Sequence, residues 1–148
     1  MPDFVSPSNA RFRILNAGSG TALDKRGDDH VIGYEPNDGV NQKWEVQQHS
    51  DGKWTFRNIA NGKYLAVEGG HAEDNKTVIV TDEPYEWYMN VDSHLSSNDR
   101  GFRIYAHPCF NLDLDGGKTD NNTRVSVWGQ WTEEQGAAPH QSWRFVRD

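Results

Sequence analysis

Apolar and polar side chains alternate along this chain in short runs, and no stretch shows the 3.6-residue recurrence of an amphipathic helix. Arg11-Phe-Arg-Ile-Leu-Asn16, Lys53-Trp-Thr-Phe-Arg-Asn58 and Gly101-Phe-Arg-Ile-Tyr-Ala106 each carry large apolar residues at alternate positions, the periodicity of a half-buried strand. They begin 42 and 48 residues apart. A second element follows each, Thr21-Ala-Leu-Asp24, Lys63-Tyr-Leu-Ala66 and Phe110-Asn-Leu-Asp113, after turn signals such as Gly18-Ser-Gly20 and Asn61-Gly62. A third, Val31-Ile-Gly-Tyr34, Val78-Ile-Val-Thr81 and Val125-Ser-Val-Trp128, recurs at 47 residues in both steps. The fourth is Gln42-Lys-Trp-Glu-Val46, Tyr85-Glu-Trp-Tyr-Met89 and Gln141-Ser-Trp-Arg-Phe145.

Three repeats of four short strands predict an all-β architecture with pseudo-threefold symmetry, the repeats covering about 11–52, 53–100 and 101–148 of a single domain spanning residues 1–148. One repeat is too small to bury its own apolar face, so the three must close on one another, which also removes exposed strand edges. Trp44, Trp87 and Trp143 are expected at equivalent places in a shared core, with Leu23, Leu65 and Leu112 beneath the hairpins.

Composition supports this picture. Aliphatic residues are sparse, but six Trp, six Phe and five Tyr supply core volume. A net charge of −7 without any Lys or Arg run disfavours nucleic acid as a partner. No apolar segment is long enough to insert in a membrane, and residues 1–10 lack the basic flank and apolar run of a signal peptide. With Cys109 as the single cysteine, a reducing, cytoplasmic setting is expected. The six His show no metal-ligand spacing, and Asp113 to Asp120 fails as a calcium loop because Gly117 and Arg124 stand where oxygen ligands are needed. Neither metal nor cofactor is expected.

The Gln-x-Trp signature of Gln42-Lys43-Trp44 and Gln141-Ser142-Trp143, each closing a repeat, resembles the ricin-B-type β-trefoil lectins. The third repeat, with Asn111-Leu-Asp-Leu-Asp-Gly-Gly117, Val127-Trp128 and Pro139-His-Gln-Ser-Trp143, is similar to repeats of mushroom agglutinins. That resemblance implies a β-trefoil that binds carbohydrate without altering it, in a fungal cytosolic defence protein. A pyranose offers an apolar C–H face and an edge of hydroxyls, so its site needs an aromatic ring, a carboxylate and an amide or imidazole. The family places the Asp at the hairpin, the ring on the third strand or its loop, and Asn or His beside the Gln.

Carried over residue by residue, the first repeat offers Asp24, Tyr34, Asn41 and Gln42, and the third Asp113, Trp128, His140 and Gln141, with Trp131 as a second wall. The second repeat has Ala66, Thr81, Pro84 and Tyr85 at those places, so no sugar site is expected there. By the residues alone, Asp24 and Asp113 are equally turn residues, and Gln42 and Gln141 equally bond backbone within the repeat. The expected ligands are glycans of galactose, N-acetylgalactosamine or N-acetylglucosamine type, with sites multiplied if the chain forms a homodimer. The rival reading is a β-trefoil protease inhibitor presenting the Asp24–His30 loop, with Lys25 and Arg26, or the 94–100 loop. Catalysis has little support: His107-Pro-Cys109 is held apart by a proline, and a lone Cys is expected as a small buried residue.

Overall fold

The computed structural model of the 148-residue chain describes residues 4–95, 100–129 and 138–148. Thirteen strands follow one another: β1 Phe4–Val5, β2 Ala10–Asn16, β3 Ala22–Arg26, β4 His30–Tyr34, β5 Trp44–Gln48, β6 Trp54–Asn58, β7 Tyr64–Val67, β8 Lys76–Thr81, β9 Tyr88–Val91, β10 Phe102–Ala106, β11 Phe110–Leu114, β12 Thr123–Gly129 and β13 Trp143–Arg147. The helical turns described are single 3-10 turns, among them Val40–Gln42 and Pro139–Gln141. β1 lies outside the three repeats and pairs with β13.

The first and fourth strands of the repeats form a closed barrel. β2 pairs with β5, β5 with β6, β9 with β10, β10 with β13 and β13 with β2, and a bridge between Trp54 and Trp87 joins the β6 and β9 sides. The three middle hairpins, β3–β4, β7–β8 and β11–β12, cap one end and pair with one another in a triangle. This is a β-trefoil.

Alternation decides which residues fill it. The barrel centre is aromatic: Phe145 meets Phe12 at 5.6 Å, Phe102 at 5.8 Å and Phe56 at 6.4 Å between ring centroids. Trp44, Trp87 and Trp143 are fully buried, and each indole N–H donates to the carbonyl of a hairpin leucine, Leu23 at 3.0 Å, Leu65 at 2.9 Å and Leu112 at 3.0 Å. A buried indole thus packs its ring and satisfies its polar tip in one placement, three times over. The hairpins share one register, with Leu23 opposite Gly33, Leu65 opposite Val80 and Leu112 opposite Val127. Gly33 departs from the two valines for a steric reason: a Cβ there would stand 2.7 Å from Leu114 Cδ1.

Candidate functional site

That register fixes which residues are equivalent around the axis. Asp113 on β11 lies opposite Ser126 on β12, and Trp128, two residues on, shares its face of the hairpin. The 3-10 turn at Pro139–Gln141 then delivers two side chains to that face. Gln141 Nε2 donates to Asp113 Oδ2 at 2.9 Å, and His140 Nε2 is 3.5 Å from the same oxygen. Among the described residues, these contacts reach Asp113 at Oδ2 and leave Oδ1 for another donor.

The ring beside it is held in place. Trp128 is 38% exposed, and its Nε1 donates to Ser126 Oγ at 3.0 Å, which leans the indole back along β12 toward Asp113. Ser126 in turn donates to Asp115 Oδ1. The other Asp115 oxygen accepts from Arg124 Nη1 at 3.1 Å, and Arg124 is anchored on the second repeat through Asn75 and Thr77. The third-repeat group thus combines an exposed flat ring, a carboxylate with one oxygen that meets no donor among the described residues, an imidazole and an amide.

The Asp113 carboxylate is buried, with 4% of the residue exposed, and its electrostatics follow from that. Burial, and then the neighbouring Asp115 charge, push the Asp113 carboxyl up to about 6 against the opposing pull of Gln141 and Arg103. Burial, followed by the Arg103 charge, pushes His140 below the usual imidazole range, so the ring beside Asp113 is neutral at pH 7.

In the first repeat Asp24 lies opposite Ile32, and Tyr34 shares their face. Asn41 Nδ2 donates to Asp24 Oδ1 at 2.9 Å and Gln42 Nε2 to Asp24 Oδ2 at 2.8 Å, both from the 3-10 turn at Val40–Gln42. Gln42 also uses backbone: Nε2 donates to the Glu35 carbonyl at 3.0 Å, and Oε1 accepts from the Asn37 N–H at 2.9 Å. This glutamine therefore bonds backbone within the repeat and at the same time orients the Asp24 carboxylate. Arg26 makes a difference from the third repeat, because its guanidinium lies 4.4 Å from the Tyr34 ring centroid and its Nε 3.6 Å from Asp24 Oδ1. Asp24 has no exposed surface.

The second repeat assembles no such group. Ala66 lies opposite Ile79, and Thr81 takes the place of the ring and donates to the Glu83 carbonyl at 3.0 Å. Tyr85 packs edge-on against Trp87 at 5.2 Å, and residues 82–87 form no 3-10 turn.

Several residues that build these sites were not singled out by the sequence reading. Asn16 Nδ2 donates to the His140 carbonyl at 3.0 Å, and Asn58 Nδ2 to the Asn41 carbonyl at 2.9 Å. Each asparagine ends the first strand of one repeat and pins the 3-10 turn of the repeat before it. The third repeat has Ala106 there, following the repeat that has no turn to pin. The signal lay in the aligned runs ending Asn16, Asn58 and Ala106. Arg103 is also part of the third-repeat site: Nη1 donates to Gln141 Oε1 at 2.8 Å, and Nε to Asp92 Oδ2 at 2.8 Å. Burial opposes ionisation of Asp92, but the Arg103 bond and the His94 N–H hold its carboxyl below the usual range.

One expectation needs correction. Cys109 is exposed rather than buried, because it sits in the turn between β10 and β11, outside the alternation that selects core residues. Trp131 lies outside the described residues, as does most of the 94–100 loop proposed for an inhibitor. In the other such loop, Lys25 Nζ is folded back on the Gly27 carbonyl at 2.8 Å and Arg26 is turned onto Tyr34. No group of His, Cys, Asp and Glu suited to a metal ion occurs among the described residues, and no helix among them is long and apolar enough to cross a membrane.

A β-trefoil whose hairpins bring a carboxylate, a ring and an amide to one face has the framework of a carbohydrate-binding module. The chain belongs to the ricin-type β-trefoil lectin domain-like family, whose model matches residues 3–82 and 40–128. Among solved structures it is similar to the ricin B-like lectin of Macrolepiota procera in complex with lactose, at 32% identity and TM-score 0.83, over 97% of this chain and 99% of that one. It shares its fold with the Rhizoctonia solani agglutinin, at 22% identity and TM-score 0.82, over 97% of this chain and 99% of that one. An exo-β-1,3-galactanase from Clostridium thermocellum also contains the fold, at 18% identity and TM-score 0.79, but this chain, covered over 97% of its length, spans only 31% of that enzyme. A comparison with curated protein sequences returns no match.

Proposed function

We propose that the protein is a non-catalytic lectin that binds the terminal sugar of glycans of galactose, N-acetylgalactosamine or N-acetylglucosamine type through the faces of its first and third repeats. The observation that carries this reading is the convergence of Asp113, Gln141, His140 and Trp128, an exposed ring beside a carboxylate whose Oδ1 faces no donor among the described residues. In the proposed complex, Trp128 desolvates the C–H face of the sugar while Asp113 accepts from two neighbouring hydroxyls through charge-assisted bonds. His140, neutral at pH 7, completes the hydroxyl edge as donor or acceptor. Asp24, Asn41, Gln42 and Tyr34 form the matching set in the first repeat. The lactose-bound Macrolepiota relative supports a galactoside as first probe.

Shallow sites of this kind bind at about the millimolar to tens-of-micromolar level, about 4–6 kcal/mol, and gain strength when several engage one glycan-covered surface. A glycan array probed with the wild-type chain and with the double variant Asp24→Asn/Asp113→Asn tests the proposal. Binding by the first and silence from the second is expected. Equal signals from both would refute the site assignment, and a blank array with the wild type would refute the lectin reading.

A further inference from the structure

Resting on that reading, we infer that Arg26 determines what the first-repeat site accepts: it is an internal competitor that occupies the place of a neutral sugar and leaves the third-repeat site to bind first. Arg26 pairs in register with His30, and Tyr34 lies four residues further along β4, about 13 Å away at strand rise. For its guanidinium to lie 4.4 Å from the Tyr34 centroid, the Arg26 side chain must run back along the hairpin face to the level of Asp24 and Ile32 while the Tyr34 ring leans toward it. It covers the ground a pyranose would need.

Both anchors of a sugar are already engaged there. The Tyr34 ring carries a cation, and Asp24 accepts from Asn41 and Gln42 with Arg26 Nε at 3.6 Å, which leaves the carboxylate without exposed surface. In the third repeat no cation lies over the ring among the described residues, although Asp113, at 4% exposed, is nearly as buried as Asp24. Asp115, two residues beyond Asp113 as Arg26 is beyond Asp24, turns instead to Ser126 and Arg124, and Trp128 stays open to solvent. The pseudo-symmetry thus places opposite charges at one position of the two sites. A neutral sugar entering the first site must break a cation–π contact and a partly exposed ion pair, which together weaken binding about tenfold.

The test titrates lactose, N-acetylgalactosamine and N-acetylglucosamine into the wild type, Asp113→Asn, Arg26→Ala/Asp113→Asn and Asp24→Asn/Arg26→Ala/Asp113→Asn. Weak residual binding by Asp113→Asn, about tenfold tighter binding once Arg26 is also removed, and loss of that gain with Asp24→Asn would support the inference. If removing Arg26 leaves the affinity of Asp113→Asn unchanged while the wild type binds, the competitor role is wrong and the lectin reading stands. If every protein is silent toward all three sugars, both fall. A readout without ligand checks the contact itself: the Arg26 Nε–H resonance should carry a ring-current shift that Tyr34→Leu abolishes, and identical shifts in the two proteins would overturn the inference.

Discussion

Asn58 couples the fold to the first-repeat site, and replacing it by Ala gives a prediction with a worked magnitude. Asn58 is fully buried at the end of β6, where Nδ2 donates to the Asn41 carbonyl at 2.9 Å and Oδ1 accepts from the Ala60 N–H at 3.1 Å. Truncation removes both bonds and strands one carbonyl and one N–H in partly buried surroundings. Each loss costs about 1–2 kcal/mol, so Asn58→Ala should destabilise by about 2–4 kcal/mol. For a domain of this size that lowers Tm by about 5–15 °C. Asn58→Asp keeps the acceptor and loses the donor, so it should fall between. Asn61→Ala is the control, since Asn61 bonds the Asp28 carbonyl and the Lys63 N–H at an exposed turn and should change stability by no more than about 0.5 kcal/mol. Thermal unfolding followed by circular dichroism reads all three. A Tm for Asn58→Ala within about 2 °C of the wild type would refute the claim that this side chain pins the 3-10 turn.

Other consequences can be checked with similar effort. Sugar binding at the third-repeat site should weaken on acidification, because Asp113, pushed up to about 6, is mostly protonated at pH 5; in Asp24→Asn, where that site binds alone, calorimetric titration should give an affinity about tenfold lower at pH 5 than at pH 7. The stability effect of Asp113 has the opposite sign: its raised value makes the native state hold a proton the unfolded chain releases, so its penalty is absent below about 3.8, grows as pH rises to about 6, and is full above that. Calorimetry across pH 4–8 should therefore find Asp113→Asn at least as stable as the wild type at pH 7. Asn111 is fully buried with neither amide atom hydrogen-bonded among the described residues, and Ala22 holds the equivalent place in the first repeat, so Asn111→Ala should raise Tm by a few degrees, roughly the value of removing one unsatisfied polar group; a fall in Tm would contradict this. Asp92→Ala, which leaves the buried Arg103 charge without its carboxylate, should cost about 3–5 kcal/mol in urea unfolding and also loosen Gln141.

What could be read from the sequence was what repeats. Trp44, Trp87 and Trp143, and Leu23, Leu65 and Leu112, stand out because one physical demand, an indole against a hairpin carbonyl, selects the same residue three times. The equivalences Asp24 to Asp113 and Tyr34 to Trp128 were legible for the same reason, and the hairpin register matches them. What departs from the symmetry was hidden. Arg26 and Asp115 are ordinary surface residues by type, and only the direction of their side chains makes one a cover and the other a brace for Ser126. Asp92 and Arg103 face each other through the register of the β9–β10 pair, and the Arg103–Gln141 bond depends on β10 lying beside β13, neither of which residue spacing encodes. β1 is too short to show a period. Cys109 is exposed because in a turn burial follows from position and not from residue type.

Stacking of a saccharide on Trp128 and its capture by Asp113 can be observed directly. The indole N–H resonances of the chain, followed by two-dimensional NMR during titration with lactose, N-acetylgalactosamine and N-acetylglucosamine, report both. A saturable shift of Trp128 Nε1–H is expected with at least one of the sugars, with no comparable shift of the buried Trp44, Trp87 and Trp143 and no response of Trp128 in Asp113→Asn. A sugar that binds with Trp128 unmoved, or that moves it equally without the Asp113 carboxylate, would rule out this mode of binding.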